Sequence, residues 1–483
     1  MRRTVSPYDW FRPIGMPLFL LALTAFCGAA EPKPDNKPAL VGVWQGTLKV
    51  QAIELRVVLR IAADGGGYKA TLDSPDQGAK GIPVSRVLLE GDVVKLDLKA
   101  INASFEGKLA DDRQSISGKW SQAGTLPLEF KRLDKEPDNN RPQEPKKPYP
   151  YVAEEVSYKN AAANITLAGT LTYLATDTPA PAVLLISGSG PQDRDESIMG
   201  HKPFLVLADY LTRRGIVVLR VDDRGVGGST GDTMASTTQD MASDALAGLA
   251  FLKSRGQVNA RRIGLLGHSE GGLVAPLAAG SRDDVAFIVM LAGTGVTGEE
   301  ILLRQGELIG KAQGADEAEL AGNRRLQQRI VHVIKTTADP AAAEKQIREI
   351  AAEDLKEIAD ADKKEAAAKA LDAQMKLILS PWFRYFLTYD PRRALVKVKC
   401  PVLAINGERD LQVDPRQNLP AIEAALKSGG NPDFQVRELK GLNHLFQHCQ
   451  IGSPAEYGKL SETFAPEALE VIADWILSKS ERP

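Results

Sequence analysis

Cysteine, aromatic residues and net charge are all scarce in this chain of 483 residues. Three cysteines are too few to build a disulfide framework, and aromatic residues make up only 6% of the sequence. Sixty basic against sixty-two acidic residues leave a formal net charge of -2, so nothing in the charge favours nucleic acid or an anionic membrane as a partner. No His, Cys and carboxylate residues have the spacing of metal ligands, so the sequence implies no metal and no cofactor.

A long hydrophobic run is missing as well. The apolar stretch Met16–Phe26 is far shorter than the ~20 residues that a membrane-spanning helix needs. Arg2 and Arg3 precede it, and the small residues Gly28–Ala30 follow it. We therefore predict that residues 1–30 are a signal peptide, that the protein is secreted or periplasmic, and that no stable membrane span remains after cleavage. An uncleaved anchor is the alternative.

Two cysteines would survive that cleavage, Cys400 and Cys449. The α/β pattern of the second half predicts Cys400 at the N-terminal end of a strand and Cys449 after a loop at the opposite, catalytic end, farther apart than a disulfide can bridge. We therefore predict two free thiols. Lipidation at Cys27 stays open, although the bulky Phe26 before it suits lipoprotein processing poorly.

Residues 40–132 have the pattern of a small all-β domain. About eight short runs alternate apolar and polar residues, one of them at Ile82–Leu89, and turn residues such as Asp64–Gly67 separate them. Such a series predicts an up-and-down barrel or a closed sandwich. The opening Gly42–Gly46 (GVWQG) resembles the start of lipocalin-like barrels, which implies either a ligand-holding barrel or a filled one that acts as a spacer or docking surface.

The pattern changes after a charged, proline-rich stretch at 133–150, which predicts an extended linker. From 151 to 483, short continuous apolar runs alternate with helical segments, as in a buried parallel sheet with helices on its faces. This alternation predicts a doubly wound, mostly parallel α/β sheet. Residues 297–395 interrupt it with a helical stretch, which predicts a helical cap inserted between two strands.

The residues Gly267–Gly271 (GHSEG) directly follow the strand-like run Ile263–Leu266. Gly-x-Ser-x-Gly between a strand and a helix is the nucleophile elbow, in which the glycines allow a strained turn that exposes the serine hydroxyl. Ser269 is therefore the predicted nucleophile.

A serine nucleophile needs a histidine base, and His332, His444 and His448 follow Ser269 in the chain. His332 falls within the helical insertion. His444 lies in a polar loop after a predicted strand and shortly before the last helix, where the fold would require the base. His444 is the predicted base, and His448 is the fallback.

The base needs an orienting acid, and a predicted strand at Pro401–Ile405 leads into a loop with three carboxylates. Asp410 lies where the carboxyl end of the strand would present ligand-facing residues. We predict Asp410 as the acid, and Glu408 and Asp414 remain the alternatives.

The oxyanion hole requires backbone N–H donors from two places. The residue after the nucleophile, Glu270, supplies the first. The second is expected from the loop Ser187–Pro191, with Ser189 as the candidate and Gly190 next.

Together these motifs resemble those of a group of bacterial secreted α/β-hydrolase esterases that carry an extra N-terminal domain and are related to serine aminopeptidase-like hydrolases. The motifs are Ser187–Asp195, Asp222–Ser229, Gly267–Gly272, Asn406–Val413 and Gly441–Phe446. The resemblance covers about residues 150–483 and implies the α/β-hydrolase fold, with Ser269, Asp410 and His444 as the triad. The chain departs from the group at Ser187, where a histidine is usual.

The insertion ends in an aromatic cluster, Ser380–Tyr389 (SPWFRYFLTY). If the insertion covers the site as a cap, Trp382, Phe383 and Phe386 line an acyl pocket. Packing of the cap onto the sheet is the other interpretation of the same cluster.

The sequence thus predicts a serine hydrolase that cleaves small-molecule carboxylic esters of small to medium acyl chains through an acyl-enzyme. A peptidase or amidase would use the same residues and is the first alternative. A periplasmic ligand-binding protein with a vestigial hydrolase domain is the second. The pattern leaves the oligomeric state open.

Overall fold

The computed structural model describes residues 39–480, apart from 51–52, 76–78, 123, 138–140, 281, 356–367, 369–370 and 373. The predicted signal peptide, residues 1–30, lies outside the described residues. Among the described helices, none has the length and apolar character needed to cross a membrane.

The N-terminal region forms one antiparallel sheet in the order β4-β3-β2-β1-β9-β8-β7-β6-β5. Its strands are β1 (Gly42–Val50), β2 (Ile53–Asp64), β3 (Gly67–Ser74), β4 (Ala79–Val84), β5 (Arg86–Glu90), β6 (Val93–Leu98), β7 (Ala103–Leu109), β8 (Ser115–Ser121) and β9 (Thr125–Leu133). The two end strands, β4 and β5, are consecutive in the chain. The sheet is therefore nearly closed, as the barrel-like prediction required.

The single predicted strand at Ile82–Leu89 is wrong, because the chain changes partners at Ser85. Val84 pairs with β3, whereas Arg86 begins a strand that pairs with β6. Ser85 and Arg86 are both exposed, so the alternation of buried and exposed residues breaks at this point. The described part of the sheet consequently has nine strands.

Large apolar side chains fill the inside of this sheet. Trp44, Phe105 and Phe130 are almost completely buried, and the two phenylalanine rings meet edge to face at 5.2 Å. The indole N–H of Trp44 donates to the carbonyl of Leu40 at 2.9 Å, so its one polar atom is satisfied. The packing is that of a filled barrel.

The second sheet has the order β10-β11-β13-β12-β14-β15-β16-β17. The strands are β10 (Val152–Asn160), β11 (Ile165–Tyr173), β12 (Ala180–Ile186), β13 (Val217–Val221), β14 (Val258–His268), β15 (Ile288–Leu291), β16 (Val402–Gly407) and β17 (Phe434–Leu439). From β13 to β17 all neighbours are parallel, and β10 and β11 add an antiparallel edge. This sheet confirms the predicted α/β-hydrolase fold.

Helices cover both faces of the second sheet. They are α1 (Pro203–Arg213), α2 (Thr238–Lys253), α3 (Gly271–Ala279), α4 (Gly298–Ala312), α5 (Glu317–Thr336), α6 (Pro340–Asp354), α7 (Pro381–Thr388), α8 (Arg392–Leu395), α9 (Pro415–Ser428), α10 (Pro454–Tyr457) and α11 (Pro466–Ser480). Apolar side chains of α2, α3 and α9 form the core on one face, and those of α1 and α11 form it on the other. The strands are buried on both sides, which explains their unbroken apolar runs.

Helices α4 to α8 lie between β15 and β16 and form the predicted cap insertion. The side chains of Thr297, Asp316, Asp339 and Ser380 accept hydrogen bonds from first-turn N–H groups of α4, α5, α6 and α7. These caps satisfy donors that would otherwise lack partners at each helix start. The helices pack around their own apolar core.

Candidate active site

The turn between β14 and α3 forces Ser269 into the left-handed backbone region, with φ at +52°. Two glycines make this turn possible. A Cβ atom on Gly267 would lie 1.9 Å from the carbonyl oxygen of Gly271, and one on Gly271 would lie 2.2 Å from the carbonyl oxygen of Ile186. Only glycine fits either position, so the backbone holds Ser269 in a strained turn at the carboxyl edge of the sheet.

Asp410 and His444 come to the same edge from the loops after β16 and β17. The Nδ1 atom of His444 lies 2.7 Å from Oδ2 of Asp410, and both side chains are buried. The other carboxylate oxygen, Oδ1, accepts hydrogen bonds from the N–H groups of Gln412 at 2.8 Å and Val413 at 2.9 Å. These bonds fix Asp410 in place. Because Nδ1 of His444 is bound to Asp410, the other ring nitrogen, Nε2, is left for proton transfer.

The other carboxylates of the Asp410 loop have different partners. Glu408 accepts a hydrogen bond from the N–H group of Gly441 at 2.9 Å. Asp414 caps α9 and binds the guanidinium of Arg304 at 2.7 Å. The structure therefore pairs His444 with Asp410 rather than with either alternative.

The two alternative histidines lie elsewhere. His448 is exposed and lies between the carboxylates of Glu462 and Glu467, at 3.0 and 2.9 Å. His332 is exposed on α5. Both have ordinary surface environments.

Hydrogen bonds to Asp222 and Asp223 hold the loop after β12 in place. The hydroxyl of Ser187 donates to Asp223 at 2.7 Å, and the N–H group of Gln192 donates to the same carboxylate at 2.9 Å. Arg194 binds Asp222 through Nε at 3.0 Å and Nη2 at 2.7 Å. Serine at position 187 thus has a structural partner of its own.

One backbone donor of this loop is already occupied. The N–H group of Gly188 donates to Oε1 of Glu196 at 2.7 Å. Ser189 and Gly190 stay the predicted oxyanion donors of this loop. Glu270, the other candidate, is the N-cap residue of α3 and directly follows Ser269.

Sequence reasoning used only the backbone of Glu270 and missed its side chain. This buried carboxylate accepts hydrogen bonds from the indole N–H of Trp382 at 2.8 Å and from the hydroxyl of Thr238 at 2.6 Å. Burial raises the pKa of Glu270, while donors from Thr238, Trp382 and Ser189 oppose that rise. Glu270 therefore connects the nucleophile turn to the cap. A charged residue directly before the apolar helix α3 was the available signal.

Trp382 and Phe386 stack at 5.8 Å on one side of α7, and both are less than 10% exposed. Phe383 packs with Trp382 in the core of the cap. A role of these three side chains in binding substrate stays a prediction.

His268 and Glu196 also belong to the site, although the sequence patterns did not indicate a role for either. The Nδ1 atom of His268 lies 2.9 Å from Oε1 of Glu196, and its Nε2 atom lies 3.0 Å from the carbonyl oxygen of His444. Both side chains are buried. His268 is the variable residue of the elbow motif, and Glu196 comes from the loop after β12.

Within the described ranges, no group of three or more His, Cys, Asp or Glu side chains is arranged to hold a metal ion. Cys400 and Cys449 are both free thiols. Burial raises the pKa of Cys449 to about 11, so at neutral pH it is protonated and a poor nucleophile.

Comparison with known proteins gives a family match and a match to a named relative. The sequence profile of the X-Pro dipeptidyl-peptidase (S15 family) matches residues 138–450. Esterase EstD of Thermotoga maritima is 28% identical over 313 residues, which are 64% of this chain and 65% of the relative, slightly less than two thirds of its length. The S15 match includes Ser269, Asp410 and His444 and begins inside the predicted linker.

Solved structures of two esterases also align with the chain. The Pyrococcus furiosus esterase Pf2001 has a TM-score of 0.43 and 15% identity, and the alignment covers 68% of this chain and 91% of that one. Est1E of Butyrivibrio proteoclasticus, solved with ferulic acid, has a TM-score of 0.41 and 18% identity, covering 68% and 100%.

Proposed function

We propose that this chain, which belongs to the X-Pro dipeptidyl-peptidase (S15) family, is a serine hydrolase that cleaves small-molecule carboxylic esters. One observation carries the proposal. Ser269 occupies a strained turn at the same sheet edge as His444, whose Nδ1 atom is hydrogen-bonded to Asp410 at 2.7 Å. A nucleophile, a base and an orienting acid in this relation perform acyl transfer on several unrelated folds.

In the proposed reaction, Nε2 of His444 takes the hydroxyl proton of Ser269 as the oxygen attacks the ester carbonyl. Asp410 stabilises the imidazolium that forms. Backbone N–H groups of Ser189 and Glu270 hold the oxyanion of the tetrahedral intermediate. His444 then protonates the leaving alcohol, and water attacks the acyl-enzyme with His444 again as the base.

Esters are favoured over dipeptides by the state of the nearby carboxylates. A dipeptidyl-peptidase must hold the ammonium group at the start of its substrate, and a carboxylate is the natural partner for it. Glu270, Glu196 and Asp223 lie in the loops around Ser269, and each already accepts hydrogen bonds from protein groups. Part of the acceptor capacity of each carboxylate is therefore already used by the protein, which leaves less of it for an ammonium group. The relative named Esterase EstD supports the same choice.

The acyl group is proposed to be of small to medium length. The argument is that Trp382 and Phe386 form a stacked apolar pair on the cap helix whose indole contacts Glu270, next to the nucleophile. Binding energy from an acyl chain against such a surface would change with chain length.

The test compares p-nitrophenyl esters of two to twelve carbons with Ala-Pro-p-nitroanilide. We expect hydrolysis of the shorter esters, little or no release of p-nitroaniline, and no turnover by the Ser269→Ala variant. Trp382→Ala is expected to shift the preferred chain length. Efficient cleavage of the anilide instead would identify a dipeptidyl-peptidase. Labelling by a fluorophosphonate at a serine other than Ser269 would refute the assignment of the nucleophile.

Export is a further part of the proposal, and it rests on residues 1–30 alone. The positively charged start, the short apolar run and the small residues after it have the order of a signal peptide. N-terminal sequencing of protein recovered from the periplasm or medium of an expressing bacterium tests this. A mature chain that still begins at Met1 would contradict it.

A further inference from the structure

A continuous chain of hydrogen bonds crosses the candidate site beside the triad. It begins at the N–H group of Gly188, passes through Oε1 of Glu196 at 2.7 Å, and reaches Nδ1 of His268 at 2.9 Å. From Nε2 of His268 it continues to the carbonyl oxygen of His444 at 3.0 Å. These bonds join three segments: the loop after β12 that contains the candidate oxyanion donors, the turn at Ser269, and the loop after β17 that contains His444.

The partners of His268 determine its protonation. A carbonyl oxygen can only accept, so Nε2 carries a proton. Nδ1 faces a carboxylate oxygen that also accepts from a backbone N–H group, so it too is a donor. An imidazole ring that donates from both nitrogens is an imidazolium.

The electrostatics agree with this assignment. Burial alone would lower the pKa of His268, but the adjacent Glu196 carboxylate outweighs burial and the pKa is raised. The titratable groups that face His268 are Glu196 from the loop after β12, Asp410 from the loop after β16 and His444 from the loop after β17. The rings of His268 and His444 lie 4.8 Å apart.

We propose that Glu196 and His268 are positioning residues, a buried ion pair that fixes the spacing between the oxyanion donors and the general base. The inference rests on the proposed serine-hydrolase function. Gly188 directly precedes Ser189, the candidate donor, and the other end of the ion pair holds the backbone of the base itself.

The chain offers a graded pair of variants at one position. Glu196→Gln keeps the shape of the side chain and an Oε1 atom that can accept from Gly188, so it removes the charge and retains part of the hydrogen bonding, since a neutral His268 ring has only one N–H donor. Glu196→Ala removes both. Glu438→Gln, which changes an exposed carboxylate on β17, is the matched control.

We expect Glu196→Ala to lower kcat roughly 10- to 100-fold on a p-nitrophenyl ester with KM changed less than about 2-fold, since misplacement of reacting groups by ~1 Å has effects of that size. Glu196→Gln should lower kcat at pH 8 by less than about 5-fold.

A readout independent of turnover separates this inference from the proposed function. In protein labelled with 15N-histidine, the ring nitrogens of His268, assigned with His268→Gln, should have the shifts of an imidazolium at pH 7. In Glu196→Gln they should have those of a neutral ring. The rate of fluorophosphonate labelling of Ser269 should fall in Glu196→Ala, even if the natural substrate is not an ester.

The proposal is overturned by either of two results. One is a neutral His268 ring in the unmodified protein at pH 7. The other is a Glu196→Ala variant that loses unfolding free energy but keeps its kcat and its labelling rate, since the pair would then serve stability alone.

Discussion

The two sheets of this molecule differ in where they place polar and strained residues. In the N-terminal sheet the large side chains fill the interior, and left-handed glycines such as Gly65 and Gly91 lie in turns where a side chain would meet nothing within 4 Å. In the second sheet Gly267 and Gly271 are crowded by backbone atoms, and the carboxylates of Glu270 and Asp410 are buried. At the carboxyl edge of the second sheet these features coincide with the left-handed backbone of Ser269, which is where chemistry is expected.

The largest effect is expected from a single methyl group at the crowded turn. In Gly267→Ala the new Cβ would lie 1.9 Å from the carbonyl oxygen of Gly271, so the nucleophile turn must deform. We expect loss of esterase activity by at least ~10³-fold or loss of folded protein, since misplaced reacting groups and strain act together. Gly256→Ala, in open space without left-handed strain, should behave like the unmodified protein. Equal activity of the two variants would contradict the comparison.

The next effect concerns the acid. Asp410→Asn preserves shape but would hold His444 in the wrong tautomer, and loss of the triad acid in this way lowers kcat by about 10⁴-fold. Asp414→Asn loses the charge that binds Arg304 and keeps an amide oxygen that can cap α9, so it affects stability rather than the base. Steady-state kinetics of both variants are the measurement. If Asp414→Asn is the crippling change, Asp410 is the wrong carboxylate.

A feature of the fold or the site could be predicted from the sequence when the residues that form it are close together in the chain. The elbow around Ser269 lies within five consecutive residues and the strand before it, so its pattern predicts its geometry. The partner switch at Ser85 depends on which strands lie on either side, and a run of alternating residues carries no such information. The pairing of Glu196 with His268 joins residues 72 positions apart, and no local pattern predicts it.

The predicted linker shows the same limit, because its second half binds the α/β region. Arg141 donates to the carbonyl oxygens of Leu460 at 2.8 Å and Gly458 at 2.9 Å. The side chain of Gln143 accepts from the N–H group of Phe464 at 3.0 Å and donates to its carbonyl oxygen at 2.6 Å. Composition alone describes this segment as extended and polar, and it cannot reveal where such a segment is attached.

Two deletions that differ only in this segment test its importance. Gln143 is hydrogen-bonded to the backbone of Phe464, whose ring stacks at 5.5 Å on Phe446, two residues after His444. Gln143 therefore supports the His444 loop indirectly, through Phe464. Deleting residues 31–137 keeps Arg141 and Gln143 and should leave activity on short esters within about 2-fold. Deleting residues 31–148 removes both side chains and should lower kcat roughly 10-fold, because the loop loses support.

Both deletions remove the N-terminal sheet, so a difference in activity between them measures the contribution of residues 138–148. Equal and high activity would reduce residues 141–148 to a connector. Loss of activity in both, with folded protein, would show that the N-terminal sheet itself helps to build the site.

The smallest effect on activity is expected from the largest disturbance of the N-terminal core. Trp44 is completely buried, and the guanidinium of Arg132 lies 4.2 Å from the centre of its ring. The Trp44→Ala change should therefore lower the unfolding free energy of the N-terminal sheet by about 3–5 kcal/mol. Because the candidate catalytic groups all lie on the second sheet, kcat/KM on short esters should change less than about 2-fold. Calorimetry should show one transition moved to lower temperature and the other unmoved, if the two sheets unfold separately. A parallel fall in kcat/KM at a temperature where both sheets remain folded would mean that the filled sheet acts on the catalytic one, and the comparison between the two regions would fail.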